Sequence, residues 1–296
     1  MSKIDLSISI VSYNTVDYLR QCLNSILEDT EGLSCEIIVV DNASTDGSSA
    51  MVAEQFPSVR LITNRENRYF TAGHNQALAV SRGEVFLILN SDTLIPRHTF
   101  PLLLDSVRNN HRVGAATCRE LNAKGEPVIT STRFPSLLAG LVEWTFLRNW
   151  PLRSVLNNYL MSDWKRDTPR AIDVGSGCFL MVRTELLRQI GGFDEGIRMY
   201  YSEHDLCQQV ARKGFEVRFQ PEAHYVHFGQ GSSSQESLAV MRKIHFEDMR
   251  YYFGKYHGKV GAYAMMAAIR LFRFLDSALR RLSWRVTSTR RQGVPT

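Results

Sequence analysis

The chain has 296 residues, 44% of them hydrophobic and 22% charged, which is the balance of a folded globular protein and excludes wholesale disorder. That length holds one large α/β domain with a helical appendage, or two modest domains. The net charge of +5 suits an anionic partner, but the excess gathers near the end, where Arg270, Arg273, Arg280, Arg281, Arg285, Arg290 and Arg291 oppose one acid, Asp276, so nucleic acid is not an expected partner.

Five scattered cysteines without a C-x-x-C pair suggest neither a disulfide framework nor a zinc knuckle, and fit a reducing cytoplasm. Lys3 and Asp5 run straight into a strand-like segment, so no signal peptide is expected. No apolar run reaches the roughly 18 residues of a membrane span; the stretch from Val260 to Ile269 is cut by Arg270.

In chain order, 6–13 reads as a strand and 17–28 as a helix with Tyr18, Leu19, Cys22, Leu23, Ile26 and Leu27 at helical spacing. The alternation continues with strands over 36–40, 59–62 and 85–89 and helices over 47–56 and 73–81. Such alternation predicts a mostly parallel, Rossmann-like central sheet flanked by helices. Ligands of these sheets sit outside the carboxyl ends of the strands, where Ser12-Tyr13-Asn14, the 41–47 segment and Asn90-Ser91-Asp92 fall. Any one cluster is an ordinary turn composition; three at successive strand ends point to a site.

Beyond residue 96 a helix over 98–109, a strand over 113–118 and a hairpin at Lys124-Gly125 lead into an aromatic-rich insertion over 134–164, with three of the four tryptophans. It reads either as a core-packing helical pair or as a lid over a greasy acceptor. A strand over 178–182, a short helix ending at Gly191-Gly192, a helix over 203–213 stopped by Gly214, and strands over 216–219 and 225–228 follow. Helical patterns then dominate, which divides the chain into a domain over 1–235 and a C-terminal helical, basic amphipathic extension over 236–296.

Asp92 follows the apolar strand by a few residues, which places its carboxylate at the sheet's carboxyl edge, a position suited to Mg²⁺ or Mn²⁺. Here the sequence resembles the inverting family 2 glycosyltransferases with a GT-A fold, particularly the rhamnosyltransferase-like members. The resemblance rests on ordered segments: SIVSYN at 9–14, EIIVVDNASTDGS at 36–48, AGHNQAL at 72–78, LILNSD at 87–92, GSGCFLMVR at 175–183, GGFDE at 191–195 and YSEHDLC at 201–207.

The resemblance implies transfer of a sugar from a nucleotide diphosphate donor, dTDP-rhamnose or a UDP-sugar, to a saccharide or polyprenyl-linked acceptor in bacterial surface polysaccharide synthesis. It places Asp41, Tyr13, Asn14, Asn75 and Asn90 around the nucleotide and makes Asn-Ser-Asp the counterpart of a D-x-D metal motif. Asn90 replaces the first acid, so Asp92 carries the metal, with His227 as a second ligand. The general base is Glu203 or Asp205, both of which also suit a helix N-terminus. An inactive nucleotide-sugar-binding or scaffold protein of the same fold is the alternative that Asn90 leaves open. The tail over 258–296, with Phe272, Phe274, Leu275, Leu279, Leu282 and Trp284, reads as a helix for an anionic membrane surface or as one packed on the domain or in a homo-oligomer.

Overall fold

The structure is a computed structural model that describes residues 4–30, 32–149, 152–229 and 237–291, with side chains to residue 276. The chain divides into two compact units, one of Met1–Phe134 with Trp164–Met249 and the other of Pro135–Asp163 with Arg250–Thr296. The first unit extends beyond the boundary near 235 read from sequence, and position 235 itself lies outside the described residues.

In the first unit, β1 (Leu6–Ser12), α1 (Val16–Asp29), β2 (Cys35–Asp41), α2 (Ser48–Gln55), β3 (Arg60–Thr63), α3 (Tyr69–Val80) and β4 (Val85–Asn90) form the expected alternation. β1 lies between β2 and β4, and β3 lies beside β2, all parallel. β4 is apolar and buried from Val85 to Leu89 and is a central strand, paired along one edge with β1 and along the other with β9 (Phe179–Arg183). Leu19, Cys22, Leu23 and Ile26 bury one stripe of α1 against the sheet.

Downstream the chain forms β5 (Thr93–Leu94), α4 (Thr99–Arg108), β6 (Val113–Leu121), β7 (Pro127–Val128), β8 (Arg170–Ile172), α7 (Thr184–Gln189), α8 (Ser202–Arg212) and β10 (Glu216–His227). The sheet runs β3-β2-β1-β4-β9-β6-β10-β5, with β9 antiparallel to both its neighbours and β10 parallel to β6. It is therefore a mixed α/β sheet whose first half is wholly parallel.

The two strands read over 216–219 and 225–228 are one strand, β10. Its register against β6 shifts between Gln220 and His224, and Pro221, which has no N–H to give the ladder, sits in that irregular stretch. The bulge carries the strand through the proline and sets His227 at the strand's carboxyl end.

The second unit contains α5 (Leu137–Glu143), a 3₁₀ turn (Phe146–Arg148), α6 (Arg153–Tyr159) and α10 (Lys259–Arg291). Ala139, Val142, Ala262, Met265, Met266 and Ile269 are buried in it, and the rings of Phe146 and Phe272 meet edge to face at 5.7 Å. Much of the aromatic insertion is thus core-forming, while Trp164 belongs to the first unit and packs edge-on against Phe219. On α10, Val260, Tyr263, Leu271, Phe274 and Leu275 are exposed, whereas the side chains of Leu279, Leu282 and Trp284 lie outside the described residues. No helix among the described residues is long and apolar enough to cross a membrane.

Candidate active site

The carboxyl ends of β1, β2 and β4 are tied together by short polar links. Ser12 Oγ lies 2.9 Å from Thr15 Oγ1, which donates to Ser91 Oγ at 3.0 Å. The Asn14 side chain accepts from the Thr45 amide at 2.7 Å, joining the β1 end to the loop after β2. Asn14, Ala43, Tyr69 and Tyr201 all have positive φ without being glycine, and such strained residues collect where a scaffold over-determines a functional loop.

A cavity of ≈ 430 Å³ opens over these ends, lined by Tyr13, Asn42, Tyr69, Asn90, Asp92, Glu120, Cys178, Tyr200, Glu203, His227 and Met241 among others. At one part of its wall, His227 Nε2 stands 3.3 Å from Asp92 Oδ1 and Nδ1 stands 2.9 Å from Glu120 Oε1. Burial opposes charge on this imidazole, but with no cation beside it hydrogen bonds to Asp92, Cys178 and Glu120 outweigh burial and raise the His227 pKa well above its ordinary value; a cation on Nε2 would take the place of that proton. Glu120 also accepts from Ser176 at 3.1 Å and from the buried Tyr225 hydroxyl, which fixes its carboxylate. Glu120, Cys178 and His227 each offer a ligand atom within 4.8 Å of the others.

That group is one carboxylate, one thiol and one imidazole, and the Asp92 carboxylate beside His227 adds the hard oxygen donor that a divalent cation such as Mn²⁺ favours. Asp92, Glu120, Cys178 and His227 all line the cavity. Asn90 turns its amide to the Cys178 sulfur, to which Nδ2 donates at 3.2 Å.

Glu203 lines the same cavity from the first turn of α8. Burial would raise its pKa, but His204, whose Nδ1 lies 3.1 Å from Glu203 Oε1, and Ser202 pull it below the usual carboxylate value, so the group is ionised at neutral pH. Asp205 is absent from the cavity lining; its Oδ2 accepts from Gln209 at 2.8 Å, one turn along the helix.

The predicted nucleotide residues separate in the same way. Tyr13 and Asn90 line the cavity. Asp41 is buried, its Oδ2 accepting from Ser49 at 2.7 Å and from the Ser44 amide at 3.2 Å, while its Oδ1 has no partner among the described residues. Asn75 faces elsewhere: it donates to Phe193 O and Glu195 Oε1, both at 2.9 Å, and accepts from the Phe193 amide at 2.8 Å. It staples α3 to the segment after α7 and is not among the cavity residues. Glu120 was not anticipated, since a lone acid near the end of an apolar strand carries no motif.

A mixed sheet, parallel in its first half, with a cavity at the carboxyl ends of its strands is the GT-A fold of glycosyltransferases. The sequence profile of Glycosyl transferase family 2 matches residues 7–191, and the chain belongs to that family. It is 25% identical over 253 residues to the N-acetylglucosaminyl-diphospho-decaprenol L-rhamnosyltransferase of Mycobacterium tuberculosis, covering 81% of each chain. It is 23% identical over 231 residues to the rhamnosyltransferase WbbL of Escherichia coli K12, covering 75% of this chain and 82% of that protein. In fold it resembles the mannosyltransferase PcManGT from Pyrobaculum calidifontis, solved with GDP-Man and Mn²⁺, at TM-score 0.55, 19% identity and coverage of 96% of this chain and 81% of that one.

Proposed function

We propose that the protein is an inverting glycosyltransferase that moves a sugar from a nucleotide diphosphate donor, dTDP-rhamnose first and a UDP-sugar next, to a polyprenyl-linked saccharide in bacterial surface polysaccharide synthesis. The observation that carries this reading is the placement of Glu203 and the Asp92–His227 pair around one cavity. The rhamnosyltransferase relatives, one of them named for a decaprenol-linked substrate, support the sugar and the acceptor class.

Glu203 takes the proton of the acceptor hydroxyl as its oxygen bonds to the anomeric carbon. The bond from that carbon to the diphosphate oxygen breaks, the nucleoside diphosphate leaves with the electron pair, and the configuration inverts. Asp92 and His227 would hold a divalent cation, Mg²⁺ or Mn²⁺, whose charge would neutralise the departing diphosphate. Asp41 offers its unpaired Oδ1 to a base N–H, with Asn14 bracing the adjoining loop and Tyr13 and Asn90 lining the nucleotide's side of the cavity. Asn75 supports this region through the 193–195 segment, without contact to the nucleotide. Asp205 acts as a helix residue beside the base.

The experiment is a transfer assay with a panel of nucleotide sugars and a short-chain polyprenyl-diphosphate saccharide, run on the wild type and Glu203→Gln with circular dichroism as a fold control. A loss of about 10²-fold or more in kcat is expected for a base. Near-normal turnover in the variant would remove Glu203 from this role.

The exposed Leu271, Phe274 and Leu275, interspersed with Arg270 and Arg273, support peripheral docking of α10 on the inner face of the cell membrane. The full chain should sediment with anionic liposomes, and less so with neutral ones; equal sedimentation with neither would leave the apolar residues to a second copy of the chain.

A further inference from the structure

Glu203 sits two residues beyond a backbone position that its own sequence does not favour. Tyr201 immediately precedes α8 with φ 64, a left-handed conformation costly for an aromatic residue. Ser202 Oγ donates to Met199 O at 2.8 Å and the Asp205 amide donates to Tyr201 O at 2.9 Å, so the turn over 199–201 sets where the first turn of α8 begins. Something outside the turn must hold it.

That element is α9 (Leu238–His257), whose first part belongs to the same compact unit. Met241, His245 and Asp248 recur at i, i+4 and i+7 and so share one face of the helix. Met241 lines the cavity. The His245 ring meets Tyr200 edge-on at 4.5 Å and Tyr201 at 5.7 Å. Asp248, 1% exposed, accepts from the Met199 amide at 2.9 Å and the Tyr200 amide at 3.0 Å through one oxygen, Oδ2, and its Oδ1 lies 3.6 Å from Arg198 Nε. Arg198 is itself held: its carbonyl accepts from the Thr71 amide at 3.2 Å, and its guanidinium lies over the Tyr69 ring.

We propose that Asp248 is a positioning residue for transfer: its carboxylate, fixed in α9, grips two consecutive amides before the strained Tyr201 and thereby aims Glu203 into the cavity. A buried carboxylate receiving two amide hydrogen bonds is a stiff clamp, since each bond is charge-assisted and no water competes for it. Residue 248 lies outside the 7–191 span that defines the family match, in a helix that sequence assigns to the C-terminal extension. The inference rests on the reading of Glu203 as base.

The test compares Asp248→Ala, Asp248→Asn and Glu203→Gln in the full chain, with the double variant Glu203→Gln/Asp248→Ala. Asp248→Ala should lower kcat by about 10²-fold, the scale of a misplacement of about 1 Å, with the donor KM within about 2-fold. Asp248→Asn keeps one acceptor oxygen and should lose about 10-fold. In the Glu203→Gln background, Asp248→Ala should cost less than about 2-fold, because a residue acting through Glu203 has nothing left to position. Hydrogen exchange of Met199 and Tyr200 should quicken while that of β1 and β4 is unchanged.

Full kcat in Asp248→Ala, additive losses in the double variant, or exchange quickened throughout β1 and β4 would each overturn the proposal. Should Glu203→Gln alone retain turnover, the base reading fails and with it the catalytic part of the inference, while the exchange data report separately whether Asp248 holds the turn.

Discussion

His227 and Asp92 come to the cavity from two strands that run the same way but are separated in the sheet by β9 and β6, one at the end of β10 and one just after β4, and meet with Nε2 3.3 Å from Oδ1. The other imidazole nitrogen is held by Glu120 at 2.9 Å, where a carboxylate would brace the histidine from behind in its proposed role as metal ligand. Asp92→Asn should lower transfer by more than about 10²-fold, because it removes the charge of the proposed cation ligand. Glu120→Gln should weaken the half-saturating Mn²⁺ concentration by about 10–100-fold while kcat at saturating metal stays near normal. Electron paramagnetic resonance during a manganese titration reads the affinity, and a transfer assay at saturating metal reads kcat; unchanged Mn²⁺ affinity in Glu120→Gln would separate Glu120 from the metal.

The buried Asp41 carboxylate has one oxygen that accepts from Ser49 and one, Oδ1, without a partner among the described residues. An unpaired buried carboxylate oxygen is costly unless a ligand supplies the missing donor. Asp41→Asn should therefore raise the donor KM by about 10–100-fold, the range of a hydrogen bond to a charged group, with kcat changed much less. Titration of the nucleoside diphosphate alone, by calorimetry, checks the same contact without turnover; equal affinity in variant and wild type would place the base elsewhere.

The sheet's first half was legible because its information is local. Each strand there is a short segment rich in Ile, Val and Leu, α1 has a clear apolar stripe, and the polar clusters fall where the strands stop. Distance in sequence hid the rest. Glu120 reaches His227 across 107 residues and Asp248 reaches Met199 across 49, so neither has a neighbour that marks it as part of a site. β10 was misread as two strands because Pro221 is a strand breaker unless a bulge absorbs it. Asn75, sought near the nucleotide, is instead spent on the 193–195 segment, and nothing in AGHNQAL distinguishes an amide facing a ligand from one facing backbone. The resemblance favours Glu203 as base without dismissing Asp205; helical geometry turns Glu203 to the cavity and Asp205 to Gln209.

Two glycines without positive φ make a paired prediction on stability. A Cβ at Gly83 would lie 2.5 Å from Ser7 N and 2.7 Å from Leu6 C, backbone atoms of the central β1 that cannot yield. Gly83→Ala should cost about 1–3 kcal/mol. Gly254 lies within α9 with nothing inside 4 Å of its would-be Cβ, so Gly254→Ala should add about 0.5–1 kcal/mol through helix propensity. Urea midpoints measure both, and a stable Gly83→Ala protein would mean that β1 and the chain leading into β4 are less tightly joined than their contacts imply.

His74 makes the pH dependence of stability predictable in sign. Its ring is fully buried between Phe70 and Phe193, with Nδ1 2.7 Å from Ser9 Oγ and no partner for Nε2 among the described residues. Burial depresses its pKa to about 3. An unfolded histidine takes its proton near pH ~6.5. Between those values the unfolded chain binds a proton that the folded chain refuses, so stability falls as pH drops through this window, with a slope from His74 of up to ~1.4 kcal/mol per pH unit. His245, depressed to about 4 by burial against the opposing pull of Glu203, works in the same direction. Urea unfolding of the wild type and His74→Gln at several values between about pH 7 and pH 5 isolates the contribution, because the carboxylates titrate alike in both proteins. The variant should be the less stable of the two at neutral pH, having lost the ring's packing, yet should lose less stability on acidification. Parallel slopes would mean that the folded protein admits a proton to His74, by opening the aromatic pocket at the start of α3.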